Sequence, residues 1–297
     1  MSSTASMYTV TSAFVAAEKA FLGENRQWRT KNEMQKVFVR TVLGPCRPEL
    51  ANIPELVSMA ALSEEPINAF LRQKGFDIQL DKFPSLMPPK RAWGAASVLD
   101  VLLKWRTEGT RTQITTPIMD KFPAANLPKS TTSVFMSKLH PHPVASVFTK
   151  SGDVVHMTVC DKDLQHFSLL EEAEAISLNE QDYAPYEGVI FPMVDLNHKV
   201  DISWLKELST LDDEGYPNVL TQALQQTKFK MNHEGARIKD AVAIGGMRLT
   251  AAINKPLPPL IIDRPFLFWV ERPNLSRPLF VARFTEEDWK DPGSLQM

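Results

Sequence analysis

Two apolar runs near the C-terminal end constrain this chain most: IIDRPFLFWV at 261–270 and PLFVARF at 278–284. The link between them holds Pro273, Asn274 and Ser276, which is turn chemistry. Matched apolar runs joined by a turn predict a buried antiparallel hairpin. Phe266, Phe268, Leu279 and Phe280 are expected to be largely buried in it. A buried hairpin requires a large core around it. The chain has 297 residues, 43% of them apolar and 23% charged. That length is at the upper edge of what one hydrophobic core supports, and the core can close without staples.

Further strands are predicted at 131–139 and 154–160, with Ser151-Gly152-Asp153 as a turn before the second, and at 189–194 (VIFPMV). The first third reads helical. Val10, Phe14, Ala17 and Phe21 fall on one helix face. Thr30 and Glu33 form a capping box ahead of Met34, Val37, Phe38 and Val42, and Gly44-Pro45 ends that helix. Ser63 caps a short helix carrying Ile67, Phe70 and Leu71, closed by Gly75. A third stripe, Val98, Val101, Leu102 and Trp105, ends at Gly109. Ile202, Leu205 and Leu208 suggest a further helical turn or two. Helices first and strands later predict an α+β fold. We expect one domain over 1–297, mainly helical in 1–95 and sheet-rich in 96–297.

Net charge is −2, with both signs scattered along the chain. That pattern offers no footprint for nucleic acid and no polybasic face for a membrane. No apolar run approaches the ~18 residues of a membrane span. The start MSSTASMYTV lacks a secretory pattern, so an intracellular location with Cys46 and Cys160 as reduced thiols is expected. There is no phosphate loop, nucleophile elbow or paired-histidine metal helix. His140 and His142, in LHPHP, read as a solvated loop without the further ligands a metal needs. Cys160 with His166 carries little information as a nucleophile and base. Glu171, Glu172 and Glu174 read as a solvated face. We expect neither an enzyme nor a cofactor.

The stretch IIDRPFLFWVERPNLSRPLFVARF closely resembles the C-terminal end of a serpin. QQTKFKMNHEG resembles the serpin strand that precedes the reactive loop; earlier in the chain, YEGVIFPM resembles the family's Leu-Pro region and VFTKSGDVVHMTV its hairpin with Gly and a later Met. LLKWRTEGTRTQI resembles a family helix, and KSTTSVFMSKL falls where the central strand belongs, with Ser137 standing where the family has an asparagine that helps close the sheet. These pieces occur in family order over about 95–290. The resemblance implies a large central mixed β-sheet plus smaller sheets with surrounding helices, and a reduced N-terminal helical layer. It places the reactive-loop equivalent at about 235–260. Intracellular and virus-encoded serpins also lack signal peptides, which fits a cytoplasmic or virus-associated protein.

In the inhibitory members a protease cuts that loop, which then inserts as a strand and releases stored strain. The hinge would comprise Glu234, Gly235, Ala236, Ile238 and Asp240. An inserting strand turns alternate residues to the core: Ala236, Ile238, Asp240, Val242 and Ile244. Burying Asp240 unpaired costs at least about 2 kcal/mol. The resemblance and this acid imply a non-inhibitory protein that binds a protein partner or serves as a structural component. The alternative is a serine or cysteine protease inhibitor whose reactive bond lies among Arg248, Leu249 and Thr250, with Arg248 or Leu249 as bait.

Overall fold

The computed structural model describes residues 2–87, 90–238 and 258–296. From the N-terminus the elements are β1 Ser3–Ala5, α1 Met7–Ala17, α2 Glu33–Val37, α3 Gly44–Glu49, β2 Leu56–Ala61 and α4 Glu64–Gln73. There follow β3 Arg91–Leu99, β4 Val101–Lys104, β5 Thr110–Thr115, β6 Lys121–Pro128, β7 Thr132–Ser137, β8 His140–Phe148 and β9 Val154–Val159. After α5 Phe167–Leu178 come β10 Glu180–Tyr183, β11 Gly188–Pro192, β12 Val194–Val200, β13 Ser209–Leu211, β14 Pro217–Leu220 and β15 Gln225–Met231. The last strands are β16 Gly235–Ile238, β17 Leu260–Ile261, β18 Phe266–Glu271 and β19 Phe280–Phe284.

These elements form two compact units. One comprises Met7–Leu99 and His198–Thr227. Its sheet runs β13-β14-β3-β2, with β14 and β3 parallel. Phe14 of α1 sits in an aromatic nest, with ring centroids 5.0 Å from Trp28, 5.2 Å from Phe38 and 5.6 Å from Trp93. Ile67, Phe70 and Leu71 of α4 pack with Ala96 and Val98 of β3. Gly75 ends α4 at φ +79°, the left-handed exit that glycine takes without strain.

The other unit comprises Met1–Ser6, Asp100–Asn197 and Lys228–Met297. It carries a seven-stranded sheet, β1-β19-β18-β9-β8-β7-β10, and a four-stranded sheet, β17-β11-β6-β5. A further sheet, β12-β15-β16-β4, is built chiefly from it. The C-terminal hairpin forms as the sequence predicts. β18 and β19 pair antiparallel, with Phe266 opposite Phe284 and Val270 opposite Phe280. Phe266, Phe268, Leu279 and Phe280 are all fully buried. Phe229 of β15 fills the gap above the hairpin, its ring 4.7 Å from Phe284 and 5.0 Å from Phe268. Burial of such rings contributes about 1.5–3 kcal/mol each.

Several expectations change. The run 261–270 is divided between two sheets, because Ile261 pairs parallel with β11 while β18 begins only at Phe266. The stripe Val98 to Trp105 is strand, not helix, in β3 and β4. Val101, Leu103 and Trp105 are buried and alternate with Leu102 and Lys104, so the residues satisfy period two as well as period 3.6. Their partner β16 comes from far along the chain, and that pairing decides the outcome. The first third also contains β2, which a small-residue run (LVSMAA) does not announce.

The cap of α2 is Asn32, whose side chain accepts from Gln35 N at 2.9 Å, and not Thr30. Gly44 stays right-handed and Pro45 sits in a first turn, where its missing N–H costs nothing, so the chain continues helically into α3. KSTTSVFMSKL supplies β7 of the seven-stranded sheet, between β8 and β10. Ser137 there faces His140 across a bulge. His140 is buried at the start of β8, so it is not a solvated loop residue.

Candidate functional site

The hinge residues named from the sequence lie where the chain reverses from β15 into β16. Asn232 organises the reversal. Its Oδ1 accepts from Glu234 N at 2.8 Å and Gly235 N at 3.3 Å, and its own N–H donates to Gly235 O at 2.9 Å. Asparagine favours this local bonding because its side chain mimics a backbone turn. Its Nδ2 donates to Gly293 O at 3.1 Å, which ties the turn to the C-terminal segment.

Trp105 closes the same corner. Its indole Nε1 donates to Asn232 O at 3.0 Å and its backbone N–H to Glu234 O at 3.1 Å. Gly109 N donates to His233 O at 2.8 Å. The backbone groups of the buried Asn232 and Gly235 are thereby paired, as buried polar groups must be.

β16 lies between β15 and β4, antiparallel to both. Ala236 faces Met231 on one side and Leu103 on the other; Ile238 faces Phe229 and Val101. Ala236 is 0% exposed and Ile238 3% exposed, while Arg237 between them is half-buried. Gly235 is required by close approach. A Cβ there would stand 2.2 Å from Leu103 O.

Arg237 reaches Asp100 at 3.1 Å, with both side chains partly exposed. Its Nε is buried without a hydrogen-bond partner among the described residues. The sequence reading missed Asn232, Trp105 and Asp100. The Asn-x-Glu-Gly spacing pointed at the turn, but Trp105 and Asp100 come from β4 and its approach, which pattern reading made helical. Asp240, Arg248, Leu249 and Thr250 lie outside the described residues.

The molecule holds other polar clusters. Ser146 Oγ meets His156 Nδ1 at 3.0 Å, and His156 Nε2 lies 3.3 Å from Glu271 Oε2. All three types occur in nucleophilic triads, but Ser146 is buried in mid-sheet, facing His156 across the β8–β9 pair. The His156 ring stacks on Trp269 at 4.9 Å. Burial pushes the Glu271 carboxyl up, but bonds and charge from His156, Ser177 and Trp269 outweigh it and hold Glu271 down to about 2. Cys46 and Cys160 are both buried and are not joined by a disulfide. Burial pushes the Cys160 thiol up, so it stays protonated and inert at neutral pH. Among the described residues no group of three or more His, Cys, Asp or Glu is placed to hold a metal ion. No described helix is long and apolar enough to cross a membrane.

The sequence matches no protein-family model and no curated protein. Solved structures do match. Serpin48, described as a highly specific serpin of the insect Tenebrio molitor, aligns with a TM-score of 0.55 at 14% identity, covering 95% of this chain and 91% of its own. Thyroxine-binding globulin, solved with thyroxine, aligns at 0.53 and 11% identity over 98% and 93%. The thermophilic serpin Tengpin in its native state aligns at 0.53 and 12% identity over 96% and 88%. With its seven-stranded sheet, in which the β18–β19 hairpin lies beside the edge strand β1, and with β16 between β15 and β4, the chain has a shortened, serpin-like α+β fold.

Proposed function

We propose that this protein, acting over 1–297 as one serpin-like domain, is a non-inhibitory binding protein that presents the 239–257 segment to a protein partner. The observation that carries the reading is the burial of Ala236 and Ile238 within β16. An inhibitory trap draws its power from strand insertion after cleavage. Here the first two inward positions are already spent in the intact chain. Burial of Ile238 alone accounts for roughly 1.5–3 kcal/mol that cleavage cannot release again. The next inward position by period two is Asp240, whose carboxylate opposes further insertion. Neighbours of the fold include a highly specific serpin and a thyroxine-binding protein, so the fold accommodates both trapping and binding.

The test has two readouts. Incubation with a panel of serine and cysteine proteases should give no SDS-stable adduct. A trace-protease nick near Arg248 should leave the melting midpoint within a few degrees of the intact protein, the scale of ~1 kcal/mol in a domain this size. An adduct, together with a midpoint raised by tens of degrees, would overturn the proposal. It would establish the second reading, a protease inhibitor with Arg248 or Leu249 as bait.

A further inference from the structure

A buried histidine outside the hinge has one ring nitrogen unused. His140 opens β8, and its side chain is 3% exposed. Its Nε2 lies 2.9 Å from Thr158 Oγ1 and 3.0 Å from Val159 O. The Thr158 hydroxyl spends its proton on Pro143 O at 2.9 Å, and Val159 O can only accept. Nε2 is therefore the donor, and the tautomer follows from its partners. In the neutral ring Nδ1 is then a bare lone pair. It is buried with no hydrogen-bond partner and faces Glu172 Oε1 of α5 at 3.8 Å. Two acceptors face each other, and a proton on Nδ1 would turn that clash into an ion pair.

The placement gives this proton something to do. β8 pairs with β9 only from Ala145 onward. Pro141 and Pro143 lack N–H groups, and the segment 140–144 does not continue the ladder with β9, although His140 and Val144 pair with β7 on the other side. The His140 side chain and the Thr158–Pro143 bond tie it to β9 instead. We propose that His140 and Glu172 form a proton-operated latch, open in neutral solution and closed in acid, that fastens the proline segment of β8 to α5.

The charges around the latch set its working range. His142 stands beside it on β8, with ring centroids 5.6 Å apart, and its Nε2 lies 3.5 Å from Asp161. Lys162 holds Glu172 at 2.7 Å. Cys160, Asp163 and Arg283 lie along the 160–163 side, and Arg264 pairs with Asp161 at 3.7 Å. Burial pushes His140 below the ordinary histidine range, with smaller contributions from His142 and Lys162; the Val159 bond and Glu172 act the other way. The latch thus closes below the ordinary histidine range rather than at neutrality. Because the unfolded chain takes up its proton first, this histidine's contribution to stability is present above about pH 6.5 and is lost as pH falls through the folded-state value.

Proton and nitrogen NMR of the imidazole test this. At neutral pH His140 should show the Nε2–H tautomer. On acidification a slowly exchanging Nδ1–H resonance should appear, and the Glu172 side-chain carboxyl should shift with the same midpoint. Glu172→Gln should move the midpoint to lower pH, and Lys162→Met should move it to higher pH. A neutral Nδ1–H tautomer, or a midpoint that neither variant moves, would overturn the latch. Lys162 is about half exposed, so its variant folds even if Glu172→Gln does not.

Discussion

Adding one methyl group at Gly235 probes the hinge directly. An alanine Cβ would stand 2.2 Å from Leu103 O and 3.1 Å from both Leu103 C and Lys104 Cα. All three are backbone atoms, so no side-chain rotation relieves the clash. Ordinary van der Waals contact needs about 3.4 Å, so β16 must retreat from β4 by roughly 1 Å. The pairing at stake runs from Gly235 opposite Lys104 to Ile238 opposite Val101. Losing two of its hydrogen bonds costs about 1–3 kcal/mol at roughly 0.5–1.5 each. The ceiling is complete withdrawal of the strand, which also exposes Ile238 at about 1.5–3 kcal/mol.

We expect Gly235→Ala to destabilise the protein by about 2 kcal/mol, moving a urea midpoint down by roughly 0.7 M for a slope near 3 kcal/mol/M. The structural readout is trypsin cleavage after Arg237, mapped by mass spectrometry. In the wild type that bond is held within β16 between two neighbours. In the variant it should be cut faster. A variant with the wild-type midpoint and the wild-type cleavage rate at Arg237 would refute the packed-hinge reasoning.

The remaining expectations concern the body of the protein. Arg272 Nε meets Asp153 Oδ1 at 2.8 Å with both side chains over nine-tenths buried, so Asp153→Ala should cost about 3–5 kcal/mol by breaking a buried ion pair. The pair Asp153→Ala with Arg272→Met should recover part of that loss in denaturant melts. Glu271 is held at about 2, against an ordinary 4.5, so its contribution is present above pH 4.5 and is lost as pH falls toward 2. With its side chain 41% exposed, screening trims that contribution; Glu271→Gln should cost about 1 kcal/mol at neutral pH and flatten the acid limb of a stability profile. Non-reducing mass spectrometry should find Cys46 and Cys160 unbridged, and a thiol reagent should label both only as fast as the protein unfolds.

What the sequence disclosed follows a physical division. The C-terminal hairpin was legible because its partners are close in sequence and share long apolar runs with turn chemistry between. The α4 helix was legible because Ile67, Phe70 and Leu71 give a local stripe and Gly75 a stop; Ser63 stands at the N-cap position but its side chain makes no cap bond. β4 was not, because SVLDVLLKW fits two periods at once and its pairing partner lies more than a hundred residues away. His140 misled because a proline-flanked histidine usually marks a loop. Here the prolines only remove ladder donors, and the side chain ties the segment to β9 instead. Around Gly235 the resemblance of QQTKFKMNHEG marked where a strand ends, but only the fold brings Asn232, Trp105 and Leu103 together there.

The same alternation bears on where insertion can go from β16. Ala236 and Ile238 point inward and Arg237 outward, where it meets Asp100. The two residues following Ile238 are Lys239 and Asp240. An insertion that carried the antiparallel register one step past Ile238 would set Lys239 opposite Asp100 and Lys228. A second step would turn Asp240 inward. One added residue gains roughly 0.5–1.5 kcal/mol per hydrogen bond, whereas an unpaired buried carboxylate costs more than that or takes up a proton. If the segment after Ile238 inserts, as we propose it does not, extension beyond Lys239 would become favourable only once Val242 and Ile244 were buried as well. Asp240→Ala removes that cost while leaving every contact of β16 in place.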